Sequence, residues 1–135
     1  MKYLNSCTLD QPFDQTVATV KAALADQGFG VLTEIDVRST MKAKLGVDLD
    51  DHVILGACNP PLAYRAIQAE PSIGILLPCN VVVRSLGQDR TVVEIVDPAT
   101  MVMMTENEEL ESVAADATAR LGAVIDALTD QPSGE

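Results

Sequence analysis

The sequence predicts an α+β fold, a mostly antiparallel sheet with helices stacked on one face and additional short helices between strands. Three observations carry that expectation. Phe13, Val17, Val20 and Leu24 recur at helical spacing near one end of the chain. Leu110, Val113, Ala114, Ala117, Leu121, Val124, Ile125 and Leu128 form an unbroken apolar stripe near the other. Between them lie short, β-branched runs such as "HVILGAC", "NVVVRSL" and "TVVEIV", separated by turn and breaker residues.

Taken in order, "YLNSCTL" alternates so that Tyr3, Asn5, Cys7 and Leu9 share one face, which suits an opening strand with Cys7 turned to the core. Asp10 to Pro12 carries helix-start signals, and Gly28 is placed to end the first long helix. "FGVLTEIDV" reads as a strand. "RSTMKAKLGVDL" reads as a short helix with Met41 and Leu45 on one stripe, stopped near Gly46. "HVILGAC" is a short buried strand. Asn59 is a good N-cap and Pro60 a good first helical residue, so "PPLAYRAIQAE" becomes a helix of about two or three turns that Pro71 ends. "IGILL" and "NVVVRSL" read as strands broken at Pro78, and "GQDR" as the turn into "TVVEIV". Thr105 and Glu108 have capping-box spacing ahead of the last helix. With no linker, repeat or low-complexity tract, residues 1–130 read as one domain and 131–135 as a flexible tail.

About six strands result, and several are apolar at consecutive rather than alternate positions. A sheet covered on one face only should alternate. Something must cover the second face, and too little chain remains to do it, so a homodimer is expected.

Composition narrows the function. A formal charge of −11 disfavours the phosphate backbone, and the two Tyr and two Phe leave no stacking platform, so nucleic acid is excluded as a partner. No apolar run is long enough to span a bilayer, and the first fifteen residues lack the apolar stretch of a secretory signal. The expectation is a soluble cytoplasmic protein without a membrane partner. Its three cysteines should then be reduced.

At "EIDVRSTMKAKLGVD", "ILGACNPPLA", "GILLPCNVVV" and "DPATMV" the chain resembles the domain of unknown function 302 family, in order over residues 1–130. The resemblance implies a β-α-β(4)-α core grouped with the TATA-binding-protein-like folds, with a homodimer as the usual assembly. It implies no DNA binding, because a shared fold does not carry function. It implies no established activity either. Many members are similar at Asn59, Pro60, Leu77 and Pro78 but carry Gly or Leu where this chain has Cys58 and Cys79, which places it in a cysteine-containing branch.

Those two cysteines are the leading chemical candidates. Cys58 precedes an N-cap, where the helix dipole and free N–H groups favour an anion, so it is expected to be the more reactive thiol. Cys79 opens a strand expected to neighbour that of Cys58, which brings both sulfurs to one end of the sheet. The pair reads as a soft-metal site or a redox pair, against the plainer alternative of two small buried hydrophobes. A closed zinc site needs four ligands, and no Cys-x-x-Cys or His pair is present. Further ligands would come from His52, from Met101, Met103 or Met104, or from a second subunit. His52 more simply reads as a loop residue, and the methionines as packing. Glu34, Asp36, Asp48, Asp50 and Asp51 read as solvated surface. No phosphate-binding glycine loop is present.

A binding site without catalysis would use the donors at the helix start, with Asn59, Asn80 and Arg84 orienting a small anion and the cysteines as lining. The expected function is thus binding of a small ligand or soft metal ion around Cys58 and Cys79. Alternatives are a thiol redox protein and a purely structural or interaction module. Whether it is an enzyme stays open at this level.

Overall fold

In the computed structural model, which describes residues 2–130, the chain runs β1 (Leu4–Leu9), α1 (Phe13–Asp26), β2 (Gly30–Asp36), α2 (Val37–Leu45), β3 (His52–Cys58), α3 (Pro60–Ala69), β4 (Cys79–Gly87), β5 (Arg90–Val96), α4 (Ala99–Thr105) and α5 (Glu111–Thr129). The expected tail at 131–135 lies outside the described residues. Removing the short helices α2, α3 and α4 leaves β-α-β(4)-α, and the sheet order is β1-β5-β4-β3-β2 with every pairing antiparallel.

Local chemistry explains most boundaries. Gly28 ends α1 at φ 82, a conformation that glycine adopts without penalty. Asp36 starts α2 by accepting from Ser39 N at 2.9 Å, and that bond holds its carboxyl below the usual range; Gly46 closes the helix in the left-handed region. Gln88 and Asp89, both at positive φ, make the tight turn between β4 and β5.

Strand register sorts the side chains. Leu55, Val81 and Ile95 share one row, and Val53, Val83 and Val93 the next. Both rows face α1 and α5, where Val20, Leu24, Leu121, Val124 and Leu128 complete a first core. Cys7 lies half-buried against this core, as its alternation predicts, and burial raises its pKa. A second core forms beyond the sheet end, where Leu62 and Ala66 of α3 meet Ile73, Met101, Leu110, Val113, Ala114 and Ala117. The opposite sheet face carries Ile35, Ile54 and Val82 in one row, with Val92 beside them. Arg84 crosses that face to Glu94, Nε donating to Oε1 at 2.8 Å and Nη2 to Oε2 at 3.4 Å.

Two sequence expectations fail. "IGILL" is no strand: Ile73–Leu76 is a 3-10 turn, so the sheet has five strands and not six. A short apolar run does not by itself distinguish strand from helix. Here Ile73 N bonds Glu70 O at 2.9 Å and its side chain is needed in the second core, while Ile75 remains 86% exposed. The capping box at Thr105 and Glu108 does not form either. Thr105 closes α4, its Oγ1 donating to Met101 O at 2.6 Å. Asn107 caps the next turn instead, accepting from Glu109 N at 2.9 Å.

Gly56 sits where β2, β3 and the chain entering β4 approach most closely. A Cβ there would collide with Thr33 Oγ1 and stand 2.8 Å from Pro78 Cγ. Gly56→Ala is therefore expected to cost about 1–3 kcal/mol in urea unfolding, and adding Thr33→Ala should recover part of it. A wild-type midpoint for the single variant would show that the strands can separate without cost.

Candidate functional site

The corner between β3 and α3 builds the candidate site. β3 stops at Cys58, and Asn59 turns the chain into the helix, its Oδ1 accepting from Leu62 N at 3.3 Å. The same side chain donates from Nδ2 to Gln27 O at 3.4 Å, anchoring the corner to the end of α1. β4 enters opposite, through a cis Leu77–Pro78 peptide, and begins at Cys79. Cys79 pairs across the strands with Ala57, the residue before Cys58.

Between this sheet end, α3 and α5 lies a cavity of about 330 Å³. Cys58, Asn59 and Cys79 line it, together with Phe29, Ala57, Leu62, Ala66, Pro78, Met101, Val113 and Ala117. Leu32 stands at its margin, 69% exposed. It is the extra residue of a β-bulge, because Val31 pairs with Ala57 while Thr33 already pairs with Gly56. A larger groove of about 710 Å³ runs between β1 and α5, with Lys2, Asn5, Ser6, Thr118 and Asp126 on its wall and none of the cysteines.

Three of the five residues expected at the site thus meet there, and two do not. Asn80 is exposed and pairs with Gly56, on the side of β4 opposite Cys79. Arg84 is on that same side, four residues farther along, and is occupied by Glu94. The helix start is also a poor anion site. Pro60 and Pro61 have no N–H, Leu62 N is capped by Asn59, and Ala63 N bonds Asn59 O at 2.9 Å. The free donors that the sequence reading required are already used or missing.

The cysteines remain free thiols. Burial pushes the Cys79 thiol up to about 11, with the neighbouring charge of Cys58 adding to it. Cys79 is thus protonated at neutral pH. His52 is at the far end of β3, in a separate hollow with Asp14, Glu34, Asp36 and Asp51. Lys21 pairs with Glu34 and Arg38 with Asp51, so those carboxylates form the expected surface. Among the described residues, no three His, Cys, Asp or Glu side chains converge to hold a metal. Of the methionines, Met103 and Met104 are exposed, whereas Met101 lines the cavity. The walls from α3 and α5 were missed in sequence. Their signal was the i, i+4 pairs Leu62/Ala66 and Val113/Ala117, which also serve as ordinary core.

An antiparallel five-stranded sheet backed by two long helices, with a mostly apolar, partly open cavity at its end, defines an α+β protein. The chain belongs to the family described as Domain of unknown function DUF302, which matches residues 5–128. A solved relative, described as an uncharacterized conserved protein DUF302 from Bacillus stearothermophilus, has 29% identity and a TM-score of 0.86, covering 95% of this chain and 99% of that one. No curated protein matches the chain. Among the described residues, no helix is long and apolar enough to cross a membrane.

The high thiol pKa links Cys79 to stability. In the unfolded chain the group ionises near its ordinary value of 9.0, whereas in the fold it does so near 11. Its contribution is fully present below the first value and is lost as pH rises through the second. The stability difference between the native sequence and Cys79→Ala should therefore shrink by about 2 kcal/mol from about pH 8 to pH 10.5. Parallel profiles in chemical denaturation would show that Cys79 ionises freely.

Proposed function

We propose that the protein is a small cytoplasmic homodimer that binds a weakly polar ligand or soft ion in the cavity around Cys58 and Cys79. The carrying observation is the cavity itself, whose wall is apolar apart from the two thiols, Thr33 and Asn59, the last already hydrogen-bonded. No Lys, Arg, Asp or Glu lines it. Three unbridged cysteines accord with a reducing compartment. A neutral naphthylamine probe should bind once per chain, and Ala63→Phe, which fills the cavity from α3, should weaken it about tenfold or more. Cys58→Ala with Cys79→Ala should leave probe affinity nearly unchanged. Probe binding that ignores Ala63→Phe would place the ligand elsewhere. Native mass spectrometry of anaerobically purified protein should show any retained ligand directly.

A thiol redox role is the second reading, favoured by the one cavity that Cys58 and Cys79 both line. It requires reversible oxidation of the pair, abolished in the double variant.

The homodimer rests on the second sheet face, where Ile35 and Val82 flank Ile54 outside the core that α1 and α5 complete. Ile54→Lys should halve the mass measured by light scattering while leaving the helical signal intact. A variant that stays at native mass would move the interface to another surface.

A further inference from the structure

We infer that the cavity takes a monovalent soft cation, of the Cu(I) type, held by the sulfurs of Cys58, Cys79 and Met101. This rests on the binding reading above and names its ligand class. The three donors come from three separate elements, the end of β3, the start of β4 and the middle of α4, yet all line one cavity. Chain proximity does not explain that convergence. Met103 and Met104 follow in the same short helix and remain exposed, so the helical turn selects Met101 alone for the interior.

The chemistry of the donor set selects the ion. Two thiols and a thioether with no imidazole or carboxylate are a poor match for zinc, magnesium or calcium, and a good one for a soft ion that accepts two or three sulfurs. The only histidine is at the opposite end of β3, and the carboxylates beside it belong to a separate hollow. No charged side chain lines the cavity, and its oxygen-bearing side chains are Thr33 and Asn59, of which Asn59 already accepts from Leu62 N. On binding, the ion replaces the thiol protons, which leave to solvent, and no electron is transferred.

The test is an anaerobic titration of the reduced, full-length chain with Cu(I) supplied from a chromogenic chelator. One ion per chain is expected, and Zn(II) under the same competition should not bind. Cys58→Ser and Cys79→Ser should each weaken Cu(I) about 100-fold, and Met101→Leu about tenfold at an unchanged melting temperature. Met103→Leu should change nothing. Failure to capture Cu(I), or capture indifferent to Met101→Leu, overturns the three-sulfur site. The naphthylamine probe, run on the same samples, separates the two readings. Displacement of probe by Cu(I) supports a shared site. Probe binding without Cu(I) capture ends this inference and leaves the cavity reading standing, whereas loss of both ends both.

Discussion

The side chain of Asn59 holds the corner from which the site is built, linking the end of β3, the start of α3 and the end of α1. Its Oδ1 receives Leu62 N and its Nδ2 reaches Gln27 O, to which Arg120 of α5 also donates at 3.3 Å. Gly28 makes the approach possible twice over. Its positive φ turns the chain away from α1, and a Cβ there would stand 3.0 Å from Asn59 Nδ2. None of these bonds is short, so the corner relies on all of them together with the packing of Leu62 and Ala66 beneath. Asn59 is buried, and an unpaired amide there would be costly, which makes its two bonds a structural requirement.

The cavity follows from the existence of two cores. α1 and α5 seal the sheet's face, while α3 and α4 form a second cluster against the first half of α5. The sheet ends before the second cluster begins, and the space between them is lined by both. Cys79 belongs to the first core's edge and Met101 to the second, so both cores contribute a sulfur-bearing residue to the seam. Above it, α3 begins with two prolines, which offer no N–H to a ligand or to water.

How much of this was legible depended on whether the governing signal was local. The N-cap at Asn59, the glycine stops at 28 and 46, and the turn after Gly87 are written in neighbouring residues, and the structure has each of them. "IGILL" was misread because its conformation is decided by the second core, dozens of residues away. The site was half legible for a reason of parity. Cys79, Val81 and Val83 point one way along β4, and Asn80, Val82 and Arg84 the other. Nearness in sequence therefore grouped Asn80 and Arg84 with Cys79, while the pleat separates them. Met101 shows the reverse case, distant in sequence and brought inward by a helix that the sequence reading left unassigned.

The Arg84–Glu94 pair bears on the proposed assembly. It lies diagonally across β4 and β5 amid Val82 and Val92, and Val92 is only 8% exposed although it belongs to neither core. The arginine's aliphatic stem accounts for part of that shielding. Left in water, such a pair contributes little. Beneath a second copy it would lose its hydration, and the bidentate geometry already present is what keeps that loss tolerable. An isolated charge at this position would oppose burial of the face, whereas a pair satisfied within its own chain permits it. A fixed polar feature in an aliphatic surface also makes sliding of one copy over the other unfavourable, since each offset would bury the charges against different neighbours. The residue that the sequence assigned to a ligand thus sits on the opposite face, where its charge is matched by Glu94 of the same chain.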